Sequence, residues 1–102
     1  MELTRNYKKP FIQFVKKQHK AFKAVIEDEV NFICKNTEAG ELKIGDLSGI
    51  RVYKFKFNKQ EYLIAYYLNA ENMAEFISID FYKIGVHENF YEDLKNYIKA
   101  SR

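Results

Sequence analysis

Apolar residues recur at three- and four-residue intervals over the first third of the chain and at two-residue intervals over the middle, the periods of helix and strand. Residues 10–35 read as helix. Phe11, Phe14 and Val15 form one apolar patch, and Phe22, Val25, Ile26, Val30 and Ile33 continue it. Pro10 suits a first helical turn. The polar run Lys16-Lys17-Gln18-His19-Lys20 interrupts the stripe, which favours two short helices packed as a hairpin over one bent helix. Asn36 to Gly49 holds three of the four glycines and reads as a loop.

Ile50–Phe57 alternates as a strand, with Tyr53, Phe55 and Phe57 on one side and Val52, Lys54 and Lys56 on the other. Tyr62–Leu68 is a second strand, and the short Asn58-Lys59-Gln60-Glu61 segment predicts a hairpin. Pairing Asn58 with Glu61 places Phe57 opposite Tyr62, Phe55 opposite Ile64 and Tyr53 opposite Tyr66, and sets Lys54 and Lys56 beside Ala65 and Leu63. Asn69–Glu75 reads as a turn and Phe76–Ile84 as a third strand, with Ile77, Ile79 and Phe81 inward. Phe90 to Ala100 closes the chain as a helix whose Phe90, Leu94, Tyr97 and Ile98 share a side, and Asn89 followed by Glu92 resembles a capping box. Met1–Tyr7 is too short and polar to predict a strand. The order describes an α+β domain, an N-terminal helical hairpin and a C-terminal helix packed on a small antiparallel sheet.

Length adds that residues 1–102 suffice for a single domain with one core. Eight Tyr and nine Phe, with no Trp, make that core aromatic. Cys34 is the only cysteine, so no internal disulfide is possible, and at the end of an apolar stripe it reads as a small buried residue. No apolar run approaches the roughly 20 residues of a spanning helix, and MELTRNYKKP lacks the apolar stretch of a signal peptide. A reduced, cytoplasmic setting with no membrane partner is expected.

A net charge of +3 says little, but its distribution is uneven. Residues 1–60 carry 13 Lys/Arg against 7 Asp/Glu, whereas residues 61–102 carry 4 against 7. Arg5, Lys8, Lys9, Lys16, Lys17, Lys20 and Lys23 follow one another with no acid between them. Such a stretch attracts a polyanion or an acidic partner, or is simply a solvated helix face.

Metal binding has no sequence support: His19 and His87 lie far apart and no ligand spacing occurs, so no metal or cofactor is expected. Lys54 and Lys56, two apart on one strand, stand about 6.7 Å apart on one face, close to the spacing of adjacent phosphates. The same alternation also describes a half-exposed strand. His87 and Glu88 precede the last helix, whose first N–H groups favour a phosphate. A histidine there, with a carboxylate neighbour and Tyr91 one turn on, has the chemistry to move protons near neutral pH, or is a loop residue that starts the helix.

Taken together, these residues resemble a family. Gly45-Asp46-Leu47-Ser48-Gly49 followed by the Ile50–Phe57 strand is similar to the opening pattern of the RelE/ParE-type toxins of bacterial toxin–antitoxin systems. Tyr53 to Phe57, a short turn, then Tyr62 to Tyr66 resembles the central hairpin of RelE. Gly85-Val86-His87-Glu88-Asn89-Phe90-Tyr91-Glu92-Asp93-Leu94 resembles the close of one branch. The likeness covers about residues 45–95; the first half agrees in shape as a helical hairpin.

The resemblance implies a metal-free, ribosome-dependent endoribonuclease that cuts mRNA by attack of the substrate's own 2′-OH, with a cognate antitoxin as partner. In it, Lys54 and Lys56 match the paired lysines that activate the 2′-OH and stabilise phosphate charge. His87 matches a position of the general acid and Tyr91 a base-stacking tyrosine. Placement further suggests Arg51 and Lys59 as phosphate-binding flanks and Glu88 as the group that orients His87. One position departs: RelE carries an arginine directly after the second-strand tyrosine, and here it is Leu63. Losing such a donor typically costs about 10²–10³ in rate. Either Arg51 or His87 compensates, or the chain is a weak nuclease or none. The same fold serves two further uses, a ParE-like inhibitor of DNA gyrase and an antitoxin- or RNA-binding module without catalysis.

Overall fold

The computed structural model describes residues 3–71 and 76–101. Strand β1 (Leu3–Tyr7) leads into helices α1 (Lys9–Lys16) and α2 (Lys20–Lys35), then a two-residue strand β2 (Glu41–Leu42) and a 3-10 turn at Gly45–Leu47. Strands β3 (Ile50–Phe57), β4 (Gln60–Glu71) and β5 (Phe76–Gly85) follow, and helix α3 (Phe90–Ala100) ends the chain. The sheet order is β1-β5-β4-β3-β2. Its β1–β5 pair is parallel and the other pairs are antiparallel.

The α+β class, the helical hairpin and the C-terminal helix are therefore as the sequence predicts. The polar break does separate two helices. α1 ends with Gln18 Nε2 donating to the Phe14 carbonyl at 2.9 Å, and α2 starts where Lys23 N donates to His19 O at 3.0 Å. Strand β1 was not predicted, because its hold is not in its own pattern. Asn6 Nδ2 donates to Asp80 Oδ1 at 2.9 Å, Lys8 N donates to Phe81 O at 2.9 Å, and the Tyr7 ring stacks on Phe81 with centroids 5.3 Å apart. Strand β4 runs through Asn69–Glu71, where a turn was expected; the remainder of that turn, 72–75, and the side chain of Ile77 lie outside the described residues.

The hairpin register is also corrected. Asn58 and Lys59 both have left-handed backbone, φ 51° and 68°, the pattern of a two-residue type I′ turn. Phe57 accordingly pairs with Gln60, Phe55 with Tyr62, Tyr53 with Ile64, Lys54 with Leu63 and Lys56 with Glu61. A shift of two residues preserves the faces while changing every partner. So the aromatic face stands as expected, but Leu63 adjoins Lys54 rather than Lys56.

Each sheet face has its own core. On one face, Phe22 stacks on Phe57 at 4.5 Å, and Ile26, Val30 and Ile33 of α2 and Phe11 of α1 cover Phe55, Ile64, Tyr66, Ile79 and Phe81. On the other, Phe90 and Leu94 of α3 cover Val52, Leu63 and Ala65, with Leu47 and Ile50 beneath the loop. Fully burying one such side chain stabilises by about 1.5–3 kcal/mol. A bulge in β5 serves the second core: Ala65 pairs with Lys83 and Tyr66 with Phe81, leaving Tyr82 unpaired. Tyr82 packs into that core, and Lys83 Nζ lies 5.7 Å from the Phe90 ring centre on the same side.

The loop between α2 and β2 is tied to the sheet by buried Tyr66. Its hydroxyl donates to Thr37 O at 2.8 Å and accepts from Gly40 N at 2.9 Å. A Cβ at position 40 would stand 2.9 Å from the Tyr66 ring, which requires glycine there. Gly49, at φ 91°, turns the chain into β3 where a Cβ would meet Tyr67 at 2.8 Å.

Candidate functional site

Along β3 the apolar residues of the second core, Ile50 and Val52, give way to exposed Lys54 and Lys56. Both lysines stay on the α3 face, at the rim where the helix no longer covers the sheet. Lys54 sits beside Leu63, which sits beside Gly85, so β3 and β5 are here two strand spacings apart, roughly 10 Å. Two residues past Gly85, exposed His87 occupies the loop that enters α3. Its ring meets half-buried Tyr91 edge to face, with centroids 5.7 Å apart. The register thus gathers Lys54, Lys56, His87 and Tyr91 along one rim.

Helix α3 starts without the expected capping box. An N-cap side chain normally reaches the first-turn amides from extended backbone, and Asn89 is left-handed at φ 60° with no side-chain cap bond. The sharp left-handed step instead lets Phe90 N donate to His87 O at 3.0 Å, fixing the His87 backbone against the helix start.

The other expected residues lie elsewhere. Arg51 points to the opposite face, since strand alternation groups it with Tyr53 rather than with Lys54. Its Nη1 donates to Gly40 O at 2.8 Å and Glu38 O at 3.4 Å, so it anchors the loop that delivers β2. Lys59 occupies the hairpin tip in left-handed backbone. Glu88 is exposed in the loop, and no hydrogen bond joins it to His87 among the described residues. Leu63 has no exposure at all.

Two residues at this rim were hidden in the expected loop, Glu41 and Lys43. Glu41 pairs with Val52, and Lys43 N donates to Ile50 O at 2.8 Å, which carries both side chains onto the α3 face. Lys43 Nζ lies 3.0 Å from Glu41 Oε1 and 5.3 Å from the centre of the Tyr91 ring. The Glu41 hydrogen bond holds the Lys43 ammonium above its usual pKa despite partial desolvation, with Tyr91 adding to the effect. Glu41 is correspondingly lowered, first by the Lys43 hydrogen bond and charge and then, more weakly, by Lys54. The sole sequence signal was the alternation Glu41-Leu42-Lys43, too short to separate from loop.

The rim therefore offers one paired and two exposed lysines, an aromatic edge and an imidazole to one approaching anion. Such groups can hold a phosphodiester, stack a base and transfer a proton. Among the described residues, no three His, Cys, Asp or Glu side chains gather to hold a metal ion. Among the same residues, no helix is long and apolar enough to cross a membrane. An apolar groove of about 310 Å³ between β1 and the helical hairpin, bordered by Tyr7, Phe11, Ile12 and Val15, lies on the far side of the sheet and contributes nothing to this rim.

A five-stranded sheet with a helical hairpin on one face and a short terminal helix on the other is the RelE/ParE-like architecture. Residues 6–95 match the profile of ParE-like toxins of type II bacterial toxin–antitoxin systems, and the chain belongs to that family. No curated protein sequence matches it. The match extends the likeness from the central hairpin to the helical half, and it makes the chain the toxin of a pair whose other member is an antitoxin.

Proposed function

We propose that this toxin is a metal-independent endoribonuclease that cuts mRNA on the ribosome. What carries the reading is the convergence of Lys54, His87 and Tyr91, from two distant parts of the sequence, on one exposed rim. The substrate's 2′-hydroxyl gives up its proton to solvent and its oxygen attacks the adjacent phosphorus as the 5′-oxygen leaves, giving a 2′,3′-cyclic phosphate and a 5′-hydroxyl. Lys54 and Lys56 favour formation of the 2′-oxyanion and hold the charge that builds on the phosphate. His87 protonates the leaving 5′-oxygen, and Tyr91 stacks against the neighbouring base. On induction in bacteria, new codon-aligned 5′ ends are expected on ribosome-bound mRNA, and His87→Ala should abolish them.

A second reading is supported by Leu63. Its complete burial under α3 denies β4 any cation at the rim, as suits a ParE-like inhibitor of DNA gyrase or a non-catalytic RNA- or antitoxin-binding member. Growth arrest with gyrase-trapped DNA breaks and without new mRNA ends would establish gyrase as the target. In either case the antitoxin is expected to bring an acidic segment to Lys54 and Lys56 or to the basic 5–23 region, burying the site and screening its charge together. Co-expression with any small gene that adjoins this one, followed by native mass spectrometry, should find a tight heteromer.

A further inference from the structure

We propose that Lys43 is a third phosphate-holding cation of the rim, supplied by the residue that follows β2 because β4 supplies none at Leu63. The inference rests on the nuclease reading for its chemistry but stands on separate geometry. Leu63 is 0% exposed beneath Phe90 and Leu94, so a charged side chain has no room there. Lys43, by contrast, has a side chain only 24% exposed, gripped at 3.0 Å by Glu41 and laid 5.3 Å from the Tyr91 ring centre. A free lysine loses rotamer entropy when it is fixed, and here that loss is already taken in folding. Preorganised cations are the ones that stabilise a transition state effectively.

Glu41 marks where an anion fits. Its carboxylate is 70% exposed and bonded to Lys43, and it feels the charge of Lys54 across the β2–β3 pair. A phosphate oxygen entering between Lys43 and Lys54 takes the place of that carboxylate, which swings into water. The adjoining cleft of about 280 Å³ runs from Lys43 past Tyr91 to Lys95 and is bordered also by Asp46 and Leu47, so a phosphate is drawn to its Lys43 end. Ile44, 86% exposed, stands beside it and offers an apolar surface to a base. The cleft thus suits the nucleotide next to the scissile bond, its phosphate at Lys43 and its base toward Tyr91 and Ile44.

Two readouts test this. On mRNA-programmed ribosomes, Lys43→Ala is expected to slow cleavage by about 10²-fold and Lys43→Arg to recover most of it. Separately, binding of a 2′-deoxy-substituted single-stranded oligonucleotide, which cannot be cut, is titrated against salt. Lys43→Ala should lower the slope of log affinity against log salt by about 0.7, the loss of one phosphate contact. Glu41→Gln should tighten oligonucleotide binding several-fold, whereas a merely structural ion pair would make either substitution weaken it. If the parent protein cuts nothing but the slope still falls in Lys43→Ala, the cation stands and the nuclease reading alone fails. An unchanged slope in Lys43→Ala, or no oligonucleotide binding by the parent at low salt, overturns the proposal whatever the cleavage result.

Discussion

Leu63 is where a single side chain separates two accounts of the rim. If the site merely lacked an arginine that relatives carry, Leu63→Arg should strengthen it. The structure argues the reverse, since the side chain is fully buried against Phe90 and Leu94. An unpaired charge there leaves water without compensation, and losses of about 3–5 kcal/mol follow from such burial. Urea titration of Leu63→Arg should therefore show a lower midpoint, or no folded baseline, and no gain in cleavage. Arg51 shows the converse case: a cation that looked available for phosphate is committed to the carbonyls of Glu38 and Gly40. Those bonds fix the loop ahead of Glu41 and Lys43.

Among the elements, the long periodic ones were legible and those held by partners were not. The stripe from Phe11 to Ile33 specified helix and its break at Lys16–Lys20 favoured two helices over one bent one, and the alternation of Ile50–Phe57 specified which face each lysine takes. That alternation also placed Arg51 on the far face with Tyr53, a signal already present in the sequence. Strands β1 and β2 have too little pattern of their own; β5 and β3 recruit them through backbone pairing, and with β2 come Glu41 and Lys43. The rim was thus readable in Lys54, Lys56, His87 and Tyr91, while its second half was concealed in a loop. Register failed at the turn, because nothing about Lys59 announces left-handed backbone. Its φ of 68° carries the strain that L-residues meet there, so Lys59→Gly is expected to stabilise the fold by up to about 1 kcal/mol in thermal or urea unfolding. A clear loss of stability would say that the turn is not type I′.

At the scale of the whole molecule, the sheet is insulated on both faces, and its tyrosines link that packing to pH. Burial raises Tyr53, Tyr66 and Tyr82 above their ordinary value of 10, with the Glu29 hydrogen bond reinforcing the effect at Tyr53. A raised pKa means that the unfolded chain loses protons first. The contribution is complete below pH 10 and is lost as pH climbs through the folded-state values. Stability is expected to decline from about pH 10 upward, with tyrosinate absorbance lagging that of the unfolded chain; a flat profile to pH 12 would contradict the packing described. The exposed rim outside both cores is proposed to cut RNA through the substrate's own 2′-oxygen. The most direct test uses purified protein and ribosomes programmed with one mRNA, in the presence of a chelator, with and without a single 2′-deoxy nucleotide at the cut site. Cleavage leaving a 2′,3′-cyclic phosphate on the all-ribose message, and none on the deoxy one, is the expected result. Equal cutting of both messages, or none of either, would contradict it.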